Sequence, residues 1–409
     1  MSPEQLLTRF KLTLTTLTPL HIGSGARLRE SLDFVAHDQK LWVAYVNRVM
    51  RAMLPEAKKN SQDLAAAARR LAGVSLNEMV QLGWLKPEHF TPQSDLFKYT
   101  VAGEIPTGNE LNECIKDVYN RPFLPGSTLK GALRSALLRH HVQEDTNLLP
   151  EVNFENAKFA AQPVEMKHFV PNWSGRGKKA PNYDLWRACR VGDSTPFPQD
   201  ALSLIRSDVL SLKDTAKSIP LFFEGFPQGV TITASFTVED WLFEAERWLP
   251  EGMQHNASRR LYFKKKDRDQ FVSSLTRLVN RQTCLWLQEE QKYYRYFQGK
   301  QPNDKAQDVS NALHWLDEEL AGLDRLDHSQ MILGIGRGTG WRSKTLGAVL
   351  LDPKKLSPKG FQNVVKRFGL GKGHWLNSPH IPITRILASC GGQNRVPPGW
   401  VRISLELVP

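Results

Sequence analysis

Residues 9–25 read RFKLTLTTLTPLHIGSG, a stretch in which apolar and polar side chains alternate before a glycine-containing loop. The apolar side chains stand at positions 10, 12 and 14, and a period of two predicts a strand with one buried face. Pro19 ends this strand, and the loop that follows places His21 close to Gly23, Ser24 and Gly25. The fold is therefore expected to begin with a strand that carries a small polar loop at its end.

The same alternation returns twice, as GVTITASFTV at 229–238 and as GWVRISLELV at 399–408. Between these strands the chain has helical patterns, which cover 47–118 and 240–326. Strand-rich segments thus flank helices at both ends of the chain. This order predicts an α+β protein built from two related modules.

The charge balance favours an anionic partner. The 409 residues include 54 Lys and Arg against 42 Asp and Glu, which gives a formal net charge of +12 and a pI near 9.5. Such an excess is typical of proteins that bind nucleic acid or an anionic membrane surface.

No apolar run approaches the roughly 18 residues of a membrane-spanning helix, and the first residues lack the apolar core of a signal peptide. The sequence therefore predicts a cytoplasmic protein without a membrane partner.

The cysteines and histidines give no metal motif. The four cysteines stand far apart without a C-x-x-C pair, which predicts neither a zinc site nor a disulfide framework. The pairs His140–His141 and His374–His380 lack neighbouring ligands, and neither H-E-x-x-H nor G-x-S-x-G occurs. No metal and no other cofactor is expected.

A glycine-rich run, LGIGRGTGWRSKTLGAVLL, occupies residues 333–351. It does not match the nucleotide cradle G-x-x-x-x-G-K-[ST], because Ser343 precedes Lys344 where that motif has glycine. It does not match the dinucleotide motif G-x-G-x-x-G, because Thr339 stands at the third glycine. Glycines let another backbone come close, and nearby cations suggest that this backbone is anionic. The cations are Arg337, Arg342 and Lys344. The alternative is a glycine-rich hairpin with solvated cations.

Residues 121–142, RPFLPGSTLKGALRSALLRHHV, predict a helix from the helical spacing of their apolar side chains. Ser127 is expected to cap its N-terminus. Lys130 and Arg134 are four residues apart and lie near the free backbone N–H groups of the first turns, a combination that favours an anion. The alternative is that both cations are solvated on an amphipathic helix.

Several segments, taken in order, resemble the RAMP superfamily of CRISPR-associated RNA-binding proteins. They are LTPLHIGSG (17–25), FLPGSTLKGALRSALL (123–138), CRVGDS (189–194), FEGFPQGVTITASFTV (223–238) and GIGRGTGWRSKT (334–345). Together with IPITR (381–385) and PPGWVRI (397–403), they are most similar to the capping subunits of type III-A (Csm) effector complexes, the fifth of the Csm subunits. The resemblance runs nearly end to end, but 47–118 and 240–326 match only in being helical.

This resemblance implies an α+β fold of two ferredoxin-like (RRM-like) RAMP modules with helical insertions. The N-terminal module is expected in 1–46 and 119–238, and the C-terminal part of the second module in 327–409. The helical insertions are expected in 47–118 and 239–326.

The resemblance also implies a function: a non-catalytic subunit that binds crRNA, caps its 3′ end, and supports complex assembly and crRNA 3′-end maturation. The expected partners are crRNA, the repeated RAMP backbone subunit, further Csm subunits such as the small subunit, and host nucleases that trim the guide. The glycine-rich run is then a loop laid against RNA. The expected RNA contacts are His21, Gly23, Ser24, Gly25, Gly126, Ser127, Lys130, Arg134, Gly336, Arg337, Gly338, Gly340, Arg342 and Lys344.

Three alternatives accompany this interpretation. A metal-independent endoribonuclease that processes CRISPR precursor RNA would use His21 as general acid or base, although an RNA contact or a structural hydrogen bond is expected instead. Asp33 could correspond to the target-cleaving aspartate of the related backbone subunit, but its surroundings indicate a strand and hairpin. The aromatic and basic side chains of 240–326 could face RNA, a partner protein or solvent.

Overall fold

The structure is a computed structural model that describes residues 7–106, 110–144, 159–170, 184–211, 220–243, 270–298, 303–350, 357–369, 382–389 and 394–408. The strands in these ranges are β1 (Leu7–Thr16), β2 (Gly23–Arg29), β3 (Phe34–His37), β4 (Lys40–Ala44), β5 (Phe97–Gly103), β6 (Glu110–Cys114), β7 (Cys189–Val191), β8 (Ser203–Ser211), β9 (Leu221–Gly225), β10 (Thr231–Glu239), β11 (Gln330–Gly334), β12 (Thr384–Ser389) and β13 (Trp400–Val408). The helices are α1 (Val46–Lys58), α2 (Leu64–Ala72), α3 (Leu76–Gln81), α4 (Gly126–Glu144), α5 (Gln162–Phe169), α6 (Phe271–Phe297), α7 (Asn303–Leu323), α8 (Gly340–Lys344), α9 (Gly347–Leu350) and α10 (Pro358–Arg367).

Strand β1 lies at the centre of a five-stranded antiparallel sheet with the order β11-β13-β1-β10-β7. Leu12 of β1 is fully buried, and it pairs with Ala234 of β10 on one side and Leu405 of β13 on the other. The alternation of β1 thus supplies the buried face of the sheet centre. The three strands predicted from their alternation are confirmed, and they lie side by side.

A second, eight-stranded sheet has the order β2-β6-β9-β8-β5-β4-β3, with β12 added to β8. The chain enters it from β1 through the loop 17–22. Leu20 in this loop exchanges two backbone hydrogen bonds with Phe226, at 2.9 and 2.8 Å, so the loop is held against the connection between β9 and β10. The position of His21 is therefore fixed by both sheets.

Helices cover the sheets and complete the core. Helices α4 and α6 contribute to one core with residues of both sheets, α1–α3 pack in a second cluster with β3–β5, and α6 and α7 share a third. Asn280 of α6 bonds β11 through Gln330 O and Ile332 N, at 2.9 and 3.0 Å. This mixture of helices on mostly antiparallel sheets confirms the predicted α+β class.

The segment 47–118 differs from its helical prediction. Helices α1–α3 fill its first part, but β5 and β6 follow. In β5 the side chains of Phe97, Tyr99 and Val101 are buried and alternate with more exposed ones, so the local period of two decides the structure. In the segment 239–326, the described residues include the long helices α6 and α7.

Strands β11 and β13, from the segment 327–409, lie in the same sheet as β1 and β10 from the N-terminal part. Strands of both expected modules are therefore interleaved within one sheet. The division of the chain into modules stays a prediction.

The start of α4 is packed against the backbone of β7. A Cβ on Gly126 would lie 2.1 Å from Val191 O and 2.6 Å from Gly192 O, so no side chain fits there. The N–H of Gly126 donates to Asp193 Oδ1 at 2.7 Å. The helix thus begins at Gly126 rather than after a Ser127 cap, because a carboxylate from the CRVGDS segment already accepts at its N-terminus.

We predict that Gly126→Ala lowers the free energy of unfolding by about 1–3 kcal/mol, because the new methyl overlaps backbone atoms that cannot move away independently. Gly131→Ala on the same helix is the matched control, since a Cβ there meets nothing within 4 Å. It is expected to stabilise the helix by roughly 0.5–1 kcal/mol. Urea unfolding of both variants and the wild type measures the difference. Equal stability of the two variants would contradict the packing described for α4.

Candidate functional site

A cleft of about 590 Å³ lies between the loop after β1, the first turns of α4 and the loop after β11. It unites residues from the three segments singled out in the sequence. The lining residues are His21, Ile22, Gly23, Ser127, Thr128, Gly131, Ala132, Ser135, Gly334, Ile335, Gly336, Arg337, Ser343 and Lys344. Of the residues expected to contact RNA, the cleft brings together His21, Gly23, Ser127, Gly336, Arg337 and Lys344.

The wall formed by the glycine-rich loop is held by backbone hydrogen bonds. Arg337 N–H donates to His21 O at 3.0 Å, and Ile335 N–H donates to Gly399 O at 2.7 Å. Gly336 has φ +71°, and a Cβ on it would lie 2.4 Å from His21 O. Glycine is required there, because a side chain would separate the two loops.

The imidazole of His21 is 4% exposed and is fixed by Glu224, whose carbonyl oxygen lies 2.6 Å from His21 Nδ1. A carbonyl only accepts, so Nδ1 carries the proton and Nε2 carries the lone pair. Burial lowers the pKa of His21 to about 4, against the opposing effect of the Glu224 hydrogen bond, and the positive charges of Arg337 and Lys116 lower it further. The ring is therefore neutral at physiological pH.

A buried polar cluster lies behind His21. The Glu224 carboxylate is fully buried, accepts from Tyr99 Oη and Cys114 N at 2.9 Å each, and forms an ion pair with Lys116. Burial raises the pKa of Glu224, while Lys116 and the hydrogen bonds oppose this rise. The cluster keeps the Glu224 backbone in place, and through it the ring of His21. Sequence reasoning missed Glu224, although a lone acidic residue in the apolar FFEGF was a signal.

Two cations face the cleft without a carboxylate partner among the described residues. Arg337 is half-buried and donates from Nη1 to Asn112 Oδ1 at 3.2 Å, while Lys344 is exposed. The packed surroundings lower the pKa of Lys344, and the charge of Arg337 adds to this effect. Burial, together with the charge of Arg27, lowers the pKa of Arg337. An anion bound between these two cations would offset the cost of their burial and of the neighbouring positive charge.

The cations of α4 have other surroundings. Arg134 forms ion pairs with Asp184 at 2.8 Å and Glu165 at 3.7 Å, and its guanidinium lies 3.7 Å from the ring centre of Phe169. Lys130 does not line the cleft, and burial lowers its pKa. The anion site expected from the spacing of these two residues is therefore not formed at the cleft, and Asp193 already occupies the N-terminus of α4.

The remaining expected contacts lie around the cleft. Ser24 and Gly25 are exposed in β2, and Ser24 Oγ donates to Glu113 at 2.8 Å. Gly338 and Gly340 line a second cleft of about 510 Å³, which also includes Arg337 and Lys344. The side chain of Arg342 lies outside the described residues.

Arg139 is a further residue that sequence reasoning missed. It is 6% exposed on α4, and its Nη1 donates to the carbonyl of Ser343 in α8. Burial lowers the pKa of Arg139 to about 10. This contact joins two walls of the cleft, and no local sequence pattern marks it.

The described residues form neither a catalytic site around Asp33 nor a metal site. Asp33 accepts a hydrogen bond from Arg29 N at 2.9 Å and stabilises the turn between β2 and β3 outside the cleft. Within the described ranges no three His, Cys, Asp or Glu side chains could hold a metal ion, and His374, His380 and Cys390 lie outside those ranges. No helix in the described part is long and apolar enough to cross a membrane.

Comparisons with known proteins agree on one family. A sequence profile of the RAMP superfamily matches residues 13–343. The CRISPR-system protein Csm5 of Streptococcus thermophilus is 32% identical over 239 residues, which are 53% of this chain and 60% of that protein. Csm5 of Mycobacterium tuberculosis is 26% identical over 255 residues, 56% of this chain and 66% of that protein. The aligned region thus spans less than two thirds of these relatives.

Two solved structures share the fold. A chain in the cryo-EM structure of a type III-A Csm–crRNA–target RNA ternary complex has a TM-score of 0.65 and 23% identity, covering 97% of this chain and 100% of that one. The crystal structure of T. onnurineus Csm5 has a TM-score of 0.59 and 21% identity, covering 95% and 99%. At these identities the similarity shows the fold.

We predict that His21 makes the protein less stable as the pH falls from about 6.5 to about 4. The unfolded chain takes up a proton on His21 below pH 6.5, whereas the folded chain does so only near pH 4, so acid favours unfolding in this window. Between pH 6.5 and 4, the free energy of unfolding of His21→Gln should fall by on the order of 2–3 kcal/mol less than that of the wild type. Urea unfolding at several pH values measures it, and parallel curves for variant and wild type would contradict the neutral, buried ring.

Proposed function

We propose, since the chain belongs to the RAMP superfamily, that it is a crRNA-binding subunit of a type III-A (Csm) CRISPR complex. The observation that carries the proposal is the cleft itself. It brings together His21, Ser127 and Arg337 from three distant segments, beside glycines that leave the main chain accessible. The similarity to proteins named Csm5 supports the choice of complex.

The lining of the cleft suits the sugar–phosphate backbone of RNA. Arg337 and Lys344 supply positive charge, while glycines and small polar side chains let a polymer approach the main chain. Apart from His21, none of the described lining residues is aromatic, so the cleft offers no platform on which bases would stack. Contacts of this kind position RNA without reading its sequence.

We further propose that the chain caps the 3′ end of crRNA and supports assembly and 3′-end maturation. In that role it contacts the repeated RAMP backbone subunit, with the small subunit nearby, and leaves trimming to host nucleases. The resemblance of residues 381–385 and 397–403 to capping subunits supports this position.

The geometry of His21 favours a non-catalytic subunit over the endoribonuclease alternative. A pKa of about 4 keeps Nε2 largely unprotonated at neutral pH, which makes the ring a poor general acid there. The same low pKa makes it a weak general base.

We predict that Lys344→Ala weakens binding of single-stranded RNA by about threefold to tenfold, the effect of losing one charge-assisted contact. The slope of log affinity against log salt should decrease by about 0.7 if one phosphate contact is lost. Fluorescence anisotropy at several salt concentrations measures both quantities.

Arg134→Ala is the matched control, because it also removes one positive charge but from a group bonded to Asp184 and Glu165. Its RNA affinity and salt slope should stay close to wild type. Equal losses in both variants would mean that net charge, rather than the cleft, determines binding.

We predict that the purified chain binds CRISPR repeat RNA and leaves it intact, with or without EDTA. Denaturing gel electrophoresis of end-labelled RNA over several hours is the measurement. Metal-independent cleavage that disappears in His21→Ala would establish the endoribonuclease alternative instead.

A further inference from the structure

We infer that His21 accepts a hydrogen bond from a ribose 2′-hydroxyl, so that this cleft distinguishes RNA from DNA. The inference rests on the proposed function, because it assigns a ligand group within the same cleft.

The ring of His21 has one polar atom left for a ligand. Nδ1 is used by the Glu224 carbonyl at 2.6 Å, and no described residue bonds Nε2. Nε2 is not one of the fully buried polar atoms without a partner, so part of its surface is accessible. His21 lines the cleft, and the accessible surface can face a molecule bound there. The free atom is therefore open to a molecule in the cleft.

Gly23 leaves the space beside this atom empty. A Cβ at position 23 would lie 3.0 Å from His21 Nε2, which is closer than ordinary contacts allow. The glycine of the LHIGSG segment thus keeps the imidazole edge uncovered. Gly23 does not have a positive φ, in contrast to Gly25 and Gly336. Its lack of a side chain therefore matters for space rather than for backbone conformation.

The chemistry of Nε2 selects the ligand group. With Nδ1 protonated and the ring neutral, Nε2 is an acceptor and cannot donate. Phosphate oxygens are acceptors as well, so His21 has no hydrogen bond to offer them. RNA supplies donors from base edges and from the 2′-hydroxyl, and DNA lacks the latter.

The rest of the cleft favours the 2′-hydroxyl over a base. No aromatic side chain other than His21 is found among the described lining residues, so a base would lack a stacking partner there. Arg337 and Lys344 are placed to hold phosphates, which lie next to the ribose in the chain. A phosphate on the cations and its ribose on His21 would use both kinds of group at once.

The test measures binding of the full-length chain to three strands of one sequence, with 2′-hydroxyl, 2′-fluoro or 2′-deoxy sugars. The 2′-fluoro strand keeps the RNA-like sugar pucker but has no donor, so it isolates the hydrogen bond. Wild type should bind the 2′-hydroxyl strand about threefold to tenfold tighter than the 2′-fluoro strand. In His21→Phe, which keeps a ring without an acceptor, this preference should disappear.

Gly23→Ala is a second variant, because its methyl would lie against Nε2 while the imidazole itself is retained. It should also lose the preference for the 2′-hydroxyl strand. The wild-type comparison of 2′-hydroxyl and 2′-fluoro strands tests the inference even when a variant fails to fold.

Each outcome has a separate meaning. Equal wild-type affinity for 2′-hydroxyl and 2′-fluoro strands would overturn the inference and leave the proposed RNA binding intact. A preference that persists in folded His21→Phe would place the 2′-hydroxyl contact elsewhere and also overturn it. Absence of binding to any strand would overturn the proposed function, and the inference with it.

Discussion

The hydrogen bond from the Arg337 N–H to the carbonyl of His21 holds the candidate site together. It joins the loop after β11 to the loop after β1, and Gly336 makes this possible because a Cβ would lie 2.4 Å from the accepting oxygen. The neighbouring bond from Ile335 to Gly399 fixes the same loop to the start of β13. Backbone hydrogen bonds thus hold two walls of the cleft together, and a glycine is required where those walls meet.

The cations of this chain serve two different purposes, and their partners tell them apart. Arg134 is bonded to Asp184 and Glu165, so its charge is satisfied inside the protein. Arg337 and Lys344 meet no carboxylate in the described part of the chain, and their pKa values are lowered by the packed surroundings and by neighbouring positive charge. An incoming phosphate would gain most from the second set. The net charge of +12 indicates an anionic partner, but only the pairing indicates where it binds.

Much of the fold could be predicted from local patterns. The alternation in β1, β10 and β13 reflects strands with one buried face, and the three segments that form the cleft were recognisable as motifs before their contact was known. The strands β5 and β6 were missed because alanine-rich and leucine-rich residues upstream dominated the pattern of 47–118. The partners of Arg134 and the ion pair of Glu224 with Lys116 could not be predicted, because they join residues from different segments. Such pairs depend on strand order and helix packing, and the spacing of residues within one segment does not indicate either.

A cryo-EM structure of the assembled complex with guide RNA, at a resolution that shows phosphates, would show directly whether this cleft holds the guide. We expect the guide backbone in the cleft between the loop after β1, α4 and the glycine-rich loop, with phosphates near Arg337 and Lys344 and a ribose beside His21. A guide that passes over another surface, with this cleft empty or filled by protein, would contradict this expectation.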